Sequence, residues 1–480
     1  MNYRFIAYIM GWILNIQGVF LLVPSLVALY YKEESGFAFL IAAGISLALG
    51  ALATVKKPKN KSFYAKDGFV SVALGWVVLS ISGALPFIIS REIPSVFDAL
   101  FETISGYTTT GATILTDVEA LSKSLLFWRS FTHWIGGMGI LVFVLCILPL
   151  AGGNNMYLMR AESPGPSVGK LVPRVRSTAV ILYGIYTALT ALECVLLLIG
   201  GMGFFDAVCT SFATAGTGGF GIRNSSIAEY NVFLQNVIAV FMVIFGVNFS
   251  VYFLILVRKP KQVLKSEELR TYLGVVLAST VLIGFNVRDS FSSIWEALQQ
   301  AFFQVSSIIT TTGFATTDFN LWPTFSKCIL VMIMFIGACA GSTGGGIKVS
   351  RIVIAYKNIK NGIENFVHPK SVRIIRMEGK KVSNEVVRSV NTYIVLYFAV
   401  FVASVLLISL ENFSFETSFT SVAATLNNIG PGLDGVGPME NFAKFNPFSK
   451  CVFMFDMLAG RLELIPMVIL FSPWIWRKNH

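Results

Sequence analysis

Charge is scarce in this chain: Asp, Glu, Lys and Arg make up 13% of 480 residues, against 55% hydrophobic residues and a mean hydropathy of +0.70. A soluble globular domain carries about a quarter of its residues as charges, so the composition excludes one and reads as an integral membrane protein. Histidine is nearly absent, with three in all. There is no HExxH, no GxSxG and no pair of catalytic carboxylates in register, which leaves a hydrolase or metalloenzyme nothing to build on. The six cysteines (Cys146, Cys194, Cys209, Cys328, Cys339 and Cys451) lie in apolar segments without CxxC spacing, as packing residues do and disulfides or metal ligands do not. The formal net charge of +11 is not a nucleic-acid footprint, because the basic residues are spread over loops between apolar runs, where they orient a chain in a lipid bilayer.

What the sequence has in quantity is membrane-length apolar sequence, in about ten runs that include 6–29, 37–55, 69–89 and 127–150. The first run has no small-residue cleavage site behind it and reads as a retained span. Basic residues cluster in alternate loops: Lys56 to Lys66, Arg160 to Arg176, Arg258 to Arg270 and Lys348 to Arg388, with Arg4, Arg477 and Lys478 at the ends. Basic loops stay on the cytoplasmic side, so both termini are expected there and the number of crossings is even.

A repeat runs through the chain. Residues 98–113 read DALFETISGYTTTGAT, 206–221 DAVCTSFATAGTGGFG, 300–315 QAFFQVSSIITTTGFA and, more weakly, 417–432 TSFTSVAATLNNIGPG. Each copy lies between two apolar runs and holds an amphipathic stretch of about a dozen residues, too short to cross a bilayer at about 1.5 Å per residue. It must turn back within the membrane, and irregular backbone at that depth is tolerated only where it is buried in protein or lines a watery cavity. Four copies of span, half-helix, loop and span point to one central pore ringed by four loops, whose carbonyls and hydroxyls replace the water around a cation. The alternative for any single copy is that small residues merely let helices pack closely.

With these loops the chain resembles the Trk/Ktr/HKT superfamily of cation transporters from about Lys66 to the C-terminus, and its two further N-terminal spans resemble the TrkH branch. The resemblance implies an all-α integral membrane fold: two extra N-terminal transmembrane helices (1–65), then pore repeats at 66–152, 179–257, 268–353 (with a broken second helix) and 386–480. It implies a potassium-binding filter with one glycine per loop, Gly111, Gly219, Gly313 and Gly430, and neighbours Thr109, Thr110, Thr217, Gly218, Thr311, Thr312, Asn428 and Ile429. In the second loop Gly216, Gly218, Gly219 and Gly221 compete for the frame. Glycine in all four positions implies potassium rather than sodium as the transported ion.

Asp117, Asp318 and Asp434 follow three of these glycines by six, five and four residues; they either collect cations at an outer mouth or serve as turn and cap residues. Glu102 and Glu416 are open between capping and pore electrostatics, and Glu193 between a proton relay and a packing contact. The stretch GACAGSTGGGIK at 337–348 lacks the Gly-Lys-Ser/Thr ending of a phosphate loop, and its glycines interrupt a span at about 1 kcal/mol each relative to alanine. By resemblance Gly341, Ser342, Thr343, Gly344, Gly345 and Gly346, with Lys348, form an intramembrane gate. Arg461 lies inside the last span, where a charge costs about 2.5 to 3.5 kcal/mol unless it meets a polar cavity. The resemblance turns it into the pore as part of the gate; the alternative is an ion pair with Asp456 or Glu463.

The resemblance further implies a homodimer in a bacterial plasma (inner) membrane, and a cytosolic nucleotide-binding regulatory ring of TrkA or KtrA type docked on loops 154–178, 258–270 and 354–388. This chain itself is expected to bind no nucleotide and no nucleic acid and to have no enzymatic activity. Gated uptake of potassium is the expected function; the alternative is a symporter coupled to protons or sodium.

Overall fold

The computed structural model describes residues 1–58, 65–139, 175–368 and 374–473. Part of the 127–150 run, Cys146, most of loop 154–178 and the terminal Arg477 and Lys478 lie outside them.

The described chain is mostly helical. It opens with an antiparallel pair, α1 (Tyr3–Tyr31) and α2 (Ser35–Thr54). Gly18 faces Leu47 and Gly50 faces Asn15 so closely that a Cβ on either would overlap its neighbour, the small-residue contact that lets apolar helices approach in lipid. The pair is joined to the rest of the protein by a bond from the Tyr107 hydroxyl to Gln17 Oε1 at 2.8 Å.

After this come four successions of long helix, short helix, loop and helix. The first is α3 (Ala65–Ile89), α4 (Val96–Tyr107) and α5 (Lys123–Met138). The second is α6 (Val175–Ile199), α7 (Phe204–Gly216), and α8 (Val232–Phe245) with α9 (Phe249–Leu256). After the short α10 (Pro260–Leu264), the third is α11 (Glu267–Asn286), α12 (Ile294–Ile309), and α13 (Thr324–Ile336) with α14 (Val349–Val367). The fourth is α15 (Asn384–Ile408), α16 (Phe415–Leu426), and α17 (Pro447–Arg461) with α18 (Ile465–Leu470). Among the described residues the only strands are two short ones, Arg376–Met377 and Lys380–Lys381, paired antiparallel.

Among the described residues six helices are long and apolar enough to cross a membrane: α1, α2, α3, α6, α11 and α15. The short helices α4, α7, α12 and α16 are not, and local chemistry explains where they start. Ser95, Ser293 and Ser414 cap three of them through their hydroxyls, and each of the four carries an acid in its first turn, Asp98, Asp206, Glu296 and Glu416, where the helix dipole favours it.

The helix after each loop also stops short, and a break was expected for the third copy only. It stops after 16, 14, 13 and 15 residues in α5, α8, α13 and α17. The stops have local causes: Gly139 at φ 82, a 91° bend between α8 and α9, Gly337 at φ 72, and Glu463 and Leu464 at φ 62 and 63.

Candidate ion pore

All four short helices end in one motif. The residue two before the glycine, Thr109, Thr217, Thr311 or Asn428, is left-handed at φ 56, 54, 60 or 57. The glycine is left-handed too: Gly111, Gly219, Gly313 and Gly430 lie at φ 79, 77, 86 and 97. The amide before each glycine donates to the carbonyl five residues back, Thr110 to Ser105 and Gly218 to Ala213 at 2.9 Å, Thr312 to Ser307 and Ile429 to Ala424 at 2.8 Å. The left-handed residue donates three residues back, for example Thr109 to Gly106 at 3.1 Å and Thr217 to Thr214 at 2.9 Å. These two bonds are a Schellman helix end, which usually takes glycine at the left-handed place. A threonine there costs about 1–2 kcal/mol, and three of the four side chains have tertiary partners: Thr109 accepts from Arg461 at 3.1 Å, Thr311 from the Gly345 amide at 2.6 Å, and Asn428 donates to Thr110 Oγ1 at 2.9 Å. In the second loop only Gly219 shares the left-handed conformation; Gly216, Gly218 and Gly221 do not.

The four loops close on one another. A Cβ on Gly111 would overlap the carbonyl oxygen of Gly218, one on Gly219 that of Thr312, and one on Gly313 that of Ile429; one on Gly430 would lie 2.8 Å from the carbonyl oxygen of Thr110. Each contact runs from a glycine to the residue before the glycine of the next loop, and the fourth returns to the first. The carbonyl ends of four short helices therefore meet at one ring, and their dipoles bring partial negative charge to it. A cavity of about 250 Å³ opens on the ring and is lined by all four glycines and by Glu440.

Asp117, Asp318 and Asp434 are not among the lining residues of that cavity. Their carboxylates have partners in the loops: Asp117 ties the first loop to the second by accepting from Asn224 Nδ2 at 2.8 Å, whereas Asp318 accepts from the Asn320 amide at 3.0 Å, and Asp434 from Thr417 Oγ1 at 2.7 Å and from Ser414. These bonds hold the Asp117 and Asp434 carboxyls below the ordinary carboxylate value, through Asn224 and through Ser414 and Thr417 respectively. Glu102 has a structural partner: it is buried against Arg129 at 2.8 Å and accepts from Thr113 and the Ile114 amide, bracing the first loop from behind. Glu416 is exposed and lies 3.6 Å from Lys327. A charge inside the 127–150 run was the available sign that Arg129 needs a buried partner; for Glu440, in a polar loop, the sequence carries no such sign.

The interrupted stretch between α13 and α14 lies against this ring, and a helix rather than a strand leads into it. Its glycines answer to close approach: a Cβ on Gly345 would overlap the carbonyl oxygen of Asn427, and one on Gly344 would lie 2.8 Å from that of Thr310. Gly341 and Gly346 are left-handed at φ 67 and 78. Ser342 donates to the Cys339 carbonyl at 2.6 Å and Thr343 to that of Phe245 at 3.2 Å, while the buried Lys348 donates back to Gly344. Glu268, a residue without a sequence signal, clasps the stretch by accepting from the Ala340 amide at 2.7 Å and the Ser350 amide at 3.2 Å.

Arg461 joins these parts. Its guanidinium donates to Thr343 O at 2.7 Å, to Thr109 Oγ1 at 3.1 Å, and to the α5 carbonyls of Gly136 and Gly137 at 2.5 and 2.7 Å. Glu463 pairs instead with Arg351, and Asp456 accepts from Ser404 at 2.7 Å.

Six membrane-length helices, and short helices whose loops converge on one ring, define a multi-pass membrane protein of the transport class. The chain belongs to the TrkH family of cation transport proteins, which it matches over residues 35–478. It is 38% identical to the Trk system potassium uptake protein TrkH of Escherichia coli (strain K12) over 100% of both chains, and 35% identical to TrkG of the same strain over 99% of each. A crystal structure of the potassium transporter TrkH from Vibrio parahaemolyticus superposes with a TM-score of 0.90 at 36% identity, covering 99% of this chain and 100% of that one. Membership places the chain among transport proteins, not enzymes.

Proposed function

We propose that the chain conducts potassium inward across a bacterial inner membrane through a single gated pore formed by four pseudo-repeats, 66–152, 179–257, 268–353 and 386–480, with the N-terminal pair at 1–65 outside the ring. The observation that carries this reading is the closed circuit of glycine-to-carbonyl contacts through Gly111, Gly219, Gly313 and Gly430. Four carbonyls at one level can take over the coordination that water gives a potassium ion, while the glycines allow the backbone to present them. The neighbours Thr109, Thr110, Thr217, Gly218, Thr311, Thr312, Asn428 and Ile429 complete the filter, and Glu440 supplies a carboxylate at its mouth.

In this reading Gly341 to Gly346, Lys348 and Arg461 are the gate. The guanidinium sits beside Thr109 at the inner edge of the ring, where its charge opposes a cation, and it is tied to Thr343 of the gate stretch. Moving one therefore moves the other. Both termini are cytoplasmic, so the basic loops 258–270 and 354–388 face the side on which a nucleotide-binding ring of TrkA or KtrA type docks a homodimer. The hairpin at Arg376–Lys381 lies on that side and reaches the gate through Ser266, which donates to Glu378 at 2.8 Å two residues before Glu268.

Coupled uptake is the second reading. In its favour stands Glu193, a buried carboxylate with no ion-pair partner among the described residues.

The test is uptake of rubidium, sodium and choline into proteoliposomes holding wild type, Gly313→Ser or a deletion of Gly344 to Gly346. Selective rubidium uptake, relaxed by the serine and raised by the deletion, is expected. Absence of cation uptake from all three, with the regulatory partner added, overturns the reading.

A further inference from the structure

We infer that His133 is a positioning residue for ion selectivity, filling the place in the second loop that a threonine side chain fills in the first and third. The inference rests on the filter reading above. His133 is fully buried on α5, with Nδ1 2.7 Å from the carbonyl oxygen of Gly106 at the end of α4, and with Nε2 accepting from the Phe220 amide at 3.2 Å. Phe220 follows Gly219 directly, and its ring packs on the imidazole with centroids 4.3 Å apart. A neutral imidazole protonated on Nδ1 satisfies both bonds at once. It thereby spans the end of the first short helix and the second loop.

The sequence of the second loop carries the matching mark. Three residues and one residue before the glycine, the first loop has Thr108 and Thr110 and the third has Thr310 and Thr312, each pair joined hydroxyl to hydroxyl at 2.8 Å. The second loop has Gly216 and Gly218 at these places. A Cβ on Gly218 would overlap Cγ and Nδ1 of the His133 ring, whereas one on Gly216 would overlap the His133 carbonyl oxygen. The missing threonines are therefore a consequence of α5 and its histidine. The imidazole does by two hydrogen bonds what the hydroxyl pair does elsewhere.

The two clashes differ in kind, and the test uses the difference. Full-length variants are assayed in proteoliposomes for rubidium and sodium uptake, with yield and monodispersity as folding controls. His133→Phe keeps a ring but loses both bonds; it should lower the rubidium-to-sodium ratio about fivefold, the scale of one net hydrogen bond. Gly218→Thr should abolish uptake, and His133→Ala with Gly218→Thr should restore it, because the obstacle is a side chain. Gly216→Thr should not be restored by His133→Ala, because there the obstacle is backbone. An unchanged ratio in His133→Phe, beside a shifted ratio in Gly313→Ser, overturns the inference and leaves the filter reading standing. An unchanged ratio in both removes the filter reading and the inference with it. If His133→Phe does not fold, the rescue pair decides alone: uptake by Gly218→Thr, or none by the double variant, overturns the inference.

Discussion

The amide of Gly345 donates to the hydroxyl of Thr311 across 2.6 Å, so the interrupted stretch after α13 is fastened to the left-handed residue of the third loop. In the proposed reading, this bond is shared by gate and filter. Thr311→Val removes the acceptor and keeps the shape, leaving a buried amide unpaired at a cost of about 1–3 kcal/mol. If the stretch holds the pore shut, rubidium uptake without a partner should rise about tenfold, since about 1.4 kcal/mol is a factor of ten. Uptake equal to wild type would show that this bond does not hold the gate.

Arg461 has four oxygen acceptors on three parts of the chain. A lysine cannot serve them all, because it offers one compact charge in place of a planar fork. Arg461→Gln is expected to raise single-channel conductance and open probability, and Arg461→Lys to raise open probability alone. Planar-bilayer recording separates the two, and unchanged conductance in the glutamine variant would remove the arginine from the ion path.

Gly219→Ala places a Cβ on the Thr312 carbonyl oxygen at φ 77, whereas Gly184 on α6 has no heavy atom within 4 Å of an added Cβ. The first substitution should abolish selective rubidium uptake, and the second should leave it at the wild-type level. Isotope uptake of the two alanine variants is the measurement.

The buried pair of Arg129 and Glu102 is 2% or less exposed on both sides. Glu102→Gln strands a buried guanidinium, a loss on the scale of about 3–5 kcal/mol, and the protein should melt well below wild type in detergent. Glu416→Gln touches an exposed pair and should change little. Differential scanning fluorimetry of both compares them directly.

Asp434 titrates below its ordinary value because Ser414 and Thr417 hydrogen-bond its charged form. A depressed carboxyl stabilises the fold at pH values above its unfolded value, near 3.8, and loses that contribution as pH falls through the lower folded value. Asp434→Asn should therefore melt below wild type at pH 7, with the gap closing under strong acid. A gap that is constant with pH would assign the effect to the φ 53 backbone rather than to the charge.

Much of the fold was legible because its signals are local. Apolar length marks the spans, and a stretch of about a dozen residues ending in Thr and Gly is too short to cross; α4, α7, α12 and α16 run to 12, 13, 16 and 12 residues. The stop in α5 falls at Gly136, Gly137 and Gly139, a shorter glycine cluster than the one at Gly341 to Gly346 in the third copy, and the stops in α8 and α17 carry no glycine cluster at all. The second is a bend at Gly246 to Asn248 and the last rests on left-handed Glu463 and Leu464, neither of which has a composition signal.

Taken alone, the sequence determined that four segments are too short to cross a bilayer and end in a glycine, since helix rise, bilayer thickness and the left-handed freedom of glycine are properties of a few adjacent residues. Only the tertiary structure decided which carbonyl each glycine meets, that Gly219 is the glycine of the second loop, and that Arg461 spends its charge on α5, Thr109 and Thr343. Those outcomes depend on contacts between residues as far apart as Thr109 and Arg461, 352 positions along the chain. Ring closure is a property of all four loops at once, so no window of sequence contains it.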